Sequence, residues 1–153
     1  MMSALNRALC LAVAAFVMLV GCGDSPSEPE AELRAWVEAG IAFVEAKERR
    51  AVVGMVSEAY VDRRGNERSD LDTLLRVYFH RMNNIRLLPN IEEITIYDDT
   101  AAQLVLTVGM AGTNESILGF SADAYRFELE VEKDSGDWHL ISARWGEIGG
   151  ELK

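Results

Sequence analysis

Tyr125-Arg126-Phe127-Glu128-Leu129-Glu130-Val131-Glu132 is the stretch of this chain that decides its fold. Apolar and charged residues alternate along it. A strand points successive side chains to opposite faces, so one face here is apolar and the other charged. That is the pattern of a half-buried antiparallel strand, and it predicts a strand over residues 122–132. Asp134-Ser135-Gly136-Asp137 follows as a tight hairpin turn into a further strand over 138–145. Upstream, residues 92–97 and 102–110 also read as strands, joined by the turn Asp98-Asp99-Thr100. Residues 112–119 form a longer, looser connection.

Towards the N-terminus the apolar period changes from two to between three and four. Leu33, Trp36, Val37, Ile41 and Val44 make one stripe of a helix over residues 30–47. Ser27 and Glu30 have the spacing of a capping box at its start. Val52, Met55 and Val56 predict a shorter helix within 48–57. Residues 58–68, with Gly65-Asn66, read as a short strand or loop. Ser69 and Asp72 are expected to open a third helix, with Leu71, Leu74, Leu75, Tyr78, Met82 and Ile85 as its stripe. Asn83-Asn84 and Pro89 are expected to end it. Helices first and a strand meander afterwards predict an α+β domain, with the helices packed on one face of an antiparallel sheet.

Composition bounds the function. The chain has 153 residues, enough for one domain with a core, and a formal net charge of −10. That charge argues against nucleic acid as a partner, since its binding depends on Lys and Arg neutralising phosphates. It also disfavours a peripheral electrostatic hold on anionic lipid. The two cysteines, Cys10 and Cys22, both lie in the N-terminal segment. The folded domain therefore offers no disulfide, zinc-thiolate site or thiol nucleophile. His80 and His139 are far apart and lack metal-ligand spacing, so neither a metal nor a cofactor is expected. His80 belongs to the polar face of its helix.

Residues 8–20 form an unbroken apolar run behind Arg7. It is short of the roughly 20 residues that span a bilayer, and it suits the core of a signal peptide. Leu19-Val20-Gly21-Cys22 comes next and resembles the lipobox of bacterial lipoproteins. The resemblance implies a signal peptide over 1–21, cleavage before Cys22, a diacylglycerol on its thiol, and usually a third acyl chain on its amine. Gly23 rather than Asp after the cysteine implies, in a Gram-negative cell, an outer-membrane anchor facing the periplasm. Residues 22–29 then make the lipidated cysteine and a short polar linker, and 30–153 the domain.

The element order of that domain resembles the nuclear transport factor 2-like (SnoaL-like, cystatin-like) superfamily. The resemblance is carried by the two N-terminal helices, Ser57-Glu58-Ala59-Tyr60, the helix opened near Ser69, and the ending Gly136-Asp137-Trp138-His139-Leu140-Ile141 with Ala143-Arg144-Trp145. It implies a cone: three helices packed into a strongly curved sheet, a pocket at the open end, and frequent homodimers through the sheet. The superfamily holds ketosteroid isomerases, dehydratases and members without known activity, so function has to come from the site.

Several residues could build that site. Tyr60 and Asp62 lie where the pocket of such a cone begins, and a carboxylate in apolar surroundings can serve as a general base. Arg144 shares an alternation phase with Trp138, Leu140 and Ser142 if no bulge intervenes, which would aim it inwards to hold a carboxylate ligand. Trp36, Tyr78, Phe79, Tyr125, Phe127 and Trp138 could line the pocket. With no convincing acid/base pair, the sequence favours a membrane-tethered domain that binds a small apolar ligand or an envelope protein without catalysis. The alternatives are a lyase or isomerase using Asp62 or Tyr60 as base, with Arg144 orienting substrate, and a structural accessory assembling through the sheet face around His139 and Trp145.

Overall fold

The computed structural model describes residues 27–114 and 120–153. The expected signal peptide, Cys22 and most of the expected linker lie outside the described residues. Three helices come first: α1 (Glu28–Glu45), α2 (Arg49–Gly54) and α3 (Arg68–Arg81). Four strands follow: β1 (Met82–Asp98), β2 (Ala101–Asn114), β3 (Phe120–Asp134) and β4 (Asp137–Glu147). They form one curved antiparallel sheet in the order β1-β2-β3-β4. This is the α+β arrangement expected from the sequence.

The start of α1 follows from its first residues. Ser27 is the N-cap, and its Oγ accepts from the Glu30 N–H at 3.4 Å. Pro29 sits in the first turn, where its missing N–H removes no helical bond. The helix therefore takes in Glu28 and Pro29, which the sequence assigned to the linker. A glutamate pins α1 near each end. The Glu32 carboxylate accepts from Lys133 Nζ at 2.6 Å and Trp138 Nε1 at 2.9 Å. The Glu45 carboxylate accepts from the Leu87 N–H at 2.8 Å and Arg86 Nη1 at 3.1 Å. One end is thus tied to the β3–β4 hairpin and the other to β1, so α1 crosses the inner face of the sheet. Glu45 also covers a backbone donor on an edge strand, where open donors invite unwanted pairing.

Two boundaries differ from expectation. The N-cap of α3 is Glu67, whose N–H donates to Asp70 Oδ2 at 2.9 Å, two residues before the expected Ser69. Asp72 instead accepts from Arg49 of α2 and from Arg76. The helix also ends at Arg81, and the chain enters β1 directly, ten residues before the expected strand start. Met82 and Ile85 are three apart and fit a helical stripe. Yet Ile85 and Leu87 are buried while Arg86 and Leu88 are exposed, which is strand alternation. Pro89 is tolerated opposite Val108 because β1 is an edge strand, where a missing N–H costs no ladder bond on the open side.

The β3–β4 turn forms where predicted, with Ser135 (φ 54°) and Gly136 (φ 96°) both left-handed, as a two-residue hairpin requires. The bulge that the sequence could not place lies in β4. Glu130 pairs with Ser142 and Val131 with Leu140, leaving Ile141 as an extra residue. Trp138 and Leu140 face inwards before the bulge, and Ala143 and Trp145 after it. Arg144 is thereby turned to the outer face, where it donates to Glu128. Its expected inward position is corrected on that ground.

The main core lies between α1, α3 and the inner sheet face. Leu33, Phe79, Ile85, Leu87, Leu104, Leu106, Val131 and Trp138 form it, with Leu33 and Leu104 fully buried. A smaller cluster of Val56, Tyr60 and Ala143 packs under the α2–α3 connection.

Candidate functional site

The pocket is what the three helices leave open over the inner sheet face. It has a volume of about 1030 Å³, at the upper end of the roughly 300–1,000 Å³ usual for small-molecule sites. α1 contributes Trp36, Val37, Ile41 and Val44, and α3 contributes Leu71, Leu74, Leu75 and Tyr78. Met110, Tyr125, Phe127, Leu129 and Trp145 line the floor from β2, β3 and β4. The surface is overwhelmingly apolar because the inward phase of each strand is apolar.

Polar groups gather at particular points. Asp123 sits opposite Met110, and Tyr125 opposite Val108, in the same inward phase of β3. Both line the pocket together with Tyr78. Burial pushes the Tyr78 phenol up, and the Asp123 charge and then Tyr125 push it further, so it stays protonated as a hydrogen-bond donor at neutral pH. The Tyr125 and Phe127 rings lie 6.5 Å apart at 54°, a tilted aromatic pair. Arg64 stacks its guanidinium 4.5 Å above the Trp145 ring. Trp36 Nε1 is buried without a hydrogen-bond partner among the described residues.

The chain after β4 turns back along the pocket rim. Trp145 N–H donates to Lys153 O at 3.0 Å, and Lys153 N–H to Trp145 O at 3.2 Å. This places Gly150, Glu151 and Lys153 in the pocket wall. Gly146 permits the approach: a Cβ there would sit 2.6 Å from Glu151 O, well inside contact distance.

Of the residues singled out in the sequence, Trp36, Tyr78, Tyr125 and Phe127 come together in this wall, whereas Phe79 and Trp138 are buried in the core instead. Tyr60, Asp62 and Arg144 do not line the pocket. Tyr60 is 1 % exposed, and burial followed by the Asp62 charge raises its phenol above the ordinary value, which opposes its use as a base. Asp62 is buried and bonded within its own turn. Its Oδ1 accepts from the Arg64 and Asn66 N–H groups, each at 2.8 Å, and its Oδ2 from Asn66 Nδ2 at 2.7 Å. That carboxylate holds a loop together. Trp145 faces the pocket, so it shares no outer surface with His139, whose Nδ1 lies 3.1 Å from the Asp137 carbonyl. His80 is exposed on α3. Among the described residues no cluster of three or more His, Cys, Asp or Glu could hold a metal.

Asp123 was missed by the sequence reading. The signal was present: the period-two pattern of Tyr125, Phe127, Leu129 and Val131, carried back one step, lands on Asp123. Among the β3 residues that line the pocket it is the charged one.

No family model matches this chain, and no curated protein matches it. Solved structures do. A ketosteroid isomerase-like protein from Erwinia carotovora atroseptica superposes with a TM-score of 0.66 at 15 % identity, covering 80 % of this chain and 98 % of that one. A candidate scytalone dehydratase from Novosphingobium aromaticivorans gives a TM-score of 0.71 at 11 % identity, covering 80 % and 85 %. A type 2 hexachlorocyclohexane dehydrochlorinase gives 0.64 at 11 % identity, covering 80 % and 86 %. At these identities the likeness is one of fold: helices followed by a curved four-stranded antiparallel sheet, the nuclear transport factor 2-like cone.

Proposed function

We propose that this chain is an envelope lipoprotein, tethered through lipid on Cys22, whose cone pocket binds a small apolar ligand. The observation that carries the binding role is the pocket itself, about 1030 Å³ and lined mainly by aliphatic and aromatic side chains. Against catalysis by Tyr60 or Asp62 stands their position outside the lining, with the Asp62 carboxylate holding its own turn. A second copy across the outer sheet face would meet a charged lattice of Glu92, Arg126, Glu128 and Arg144. The reading therefore rests on the pocket of one chain rather than on a homodimer or an envelope protein partner.

The tether rests on the 8–20 apolar run and Leu19-Val20-Gly21-Cys22. Buried acyl CH₂ groups contribute about 0.8 kcal/mol each, so two or three chains hold a soluble domain firmly. With α1 starting at Glu28, five residue steps join Cys22 to the N-cap Ser27, a reach of about 17 Å. The pocket would then work close to the membrane, the outer membrane facing the periplasm if the cell is Gram-negative. Cys22→Ser should abolish acyl labelling and release the chain from the membrane fraction. Unchanged labelling would sink the tether.

Native mass spectrometry of the protein taken from its own envelope tests the pocket. A retained small molecule is expected, and Leu74→Trp, which adds bulk at an exposed position of the wall, should expel it. An adduct that survives this substitution would place binding elsewhere.

A second reading, a lyase or isomerase, is favoured by one observation: Asp123 lies near Tyr78 in the pocket, a carboxylate and a protonated phenol. Asp123 then takes the role of base that the sequence gave to Asp62 or Tyr60. Conversion of a β,γ-unsaturated ketosteroid to its conjugated ketone, lost in Asp123→Asn, would support it. No turnover, or a rate that survives the substitution, would dismiss it.

A further inference from the structure

We propose that the pocket selects an apolar molecule carrying one protonated amine, with the ammonium at Asp123 and the apolar frame against Tyr78, Tyr125 and Phe127. This rests on the ligand-binding reading above and names the chemical class. Asp123 is the one charged residue that β3 contributes to the pocket lining, in the same phase as Tyr125 and Phe127 and facing a mainly apolar wall that also holds Tyr78. A carboxylate flanked by aromatic faces offers a cation both an ion pair and ring quadrupoles.

The other charges of the wall point the same way. Glu147 and Glu151 add two carboxylates, so three acids face the two cations Arg64 and Lys153. Both cations have neighbours already: Arg64 lies over the Trp145 ring, and Lys153 Nζ is 3.9 Å from Glu151 Oε2. The chain as a whole carries a formal −10. Three acids against two cations leave the wall net negative, which disfavours an anionic ligand. A neutral one would gain only from the apolar walls.

The geometry suits an amine sterically as well. Asp123 is exposed, so the charged end of the ligand can stay partly hydrated while its frame is buried. This avoids the cost of taking both charges fully out of water. A carboxylate can accept from about four directions, which leaves room for an ammonium alongside its neighbours in the free protein.

Three probes on one frame test the proposal: 2-naphthylmethylamine, 2-naphthylmethanol and 2-naphthoate. Each is titrated calorimetrically into the full chain in phosphatidylcholine nanodiscs, with empty discs subtracted. The amine should bind at least about tenfold more tightly than the alcohol, the usual scale of a charge-assisted bond, and the carboxylate should be weakest. Asp123→Asn should bring the amine to within about twofold of the alcohol, and Asp123→Glu should restore the preference. Unaltered melting temperatures show that both variants fold; should Asp123→Asn unfold, the wild-type ranking of the three probes decides by itself. A carboxylate that binds as tightly as the amine, or a preference that persists in Asp123→Asn, overturns the ligand class. Binding of the alcohol with no gain for the amine overturns the class alone. No binding of any probe overturns the pocket reading with it.

Discussion

Arg144 of β4 donates to the Glu128 carboxylate of β3 on the outer face of the sheet, directly across the ladder from it. The pair belongs to a wider lattice. Glu128 also meets Arg126 at 3.4 Å, and Arg126 meets Glu92 of β1 at 3.2 Å, while Thr107 of β2 donates to Glu92. All four strands are thus linked by polar side chains on the face turned away from the pocket.

Arg144→Ala should therefore leave ligand affinity within about twofold and cost no more than about 1 kcal/mol, as half-exposed pairs do. Urea unfolding and a ligand titration on the same variant check both. A tenfold loss of affinity would return Arg144 to the pocket.

Asp62→Ala should destabilise by about 1–3 kcal/mol, because it leaves the Arg64 and Asn66 N–H groups of a buried turn without their acceptor. Asp62→Asn keeps one carbonyl oxygen and should cost less. Denaturant midpoints rank the two variants, and equal stability of Asp62→Ala and wild type would contradict the structural role.

Acid should weaken the attachment of α1. Hydrogen bonds from Lys133 and then Trp138 hold the Glu32 carboxyl below the usual range, and the Leu87 N–H does the same for Glu45. A carboxylate whose folded value is depressed adds stability that is present above its unfolded value, about 4.3, and lost as pH falls through the folded one. Stability should hold from neutral pH to about 5 and then decline. Melting temperatures of Glu32→Gln should fall less steeply below pH 5 than those of wild type. A parallel decline would show that Glu32 contributes nothing to the slope.

Much of the fold was legible because the signals were local. Tyr125 to Glu132 alternates strictly, Ser135-Gly136 suits left-handed turn positions, and Ser27 caps the helix that follows it. The end of α3 was misread because Met82 and Ile85 satisfy a helical spacing as well as a strand that begins at Met82, and only pairing with β2 separates the two. The candidate site was legible in part. Trp36, Tyr78 and Tyr125 line the pocket, whereas Tyr60 and Asp62 were near it in sequence yet belong to a separate cluster and turn. Asp123 could have been found by carrying the β3 alternation two residues further back.

The sequence by itself determined the α+β element order, the apolar inner face of β3 and the expectation of a lipid anchor at Cys22, since each rests on periodicity, turn chemistry or a short motif. Only the tertiary structure decided which way Arg144 points and that Arg64, Glu147, Glu151 and Lys153 join the pocket wall. The extra residue at Ile141 flips the alternation of β4 after Leu140, because a strand's side chains change face at every step. No pattern within β4 announces that insertion; it exists only in the register against β3.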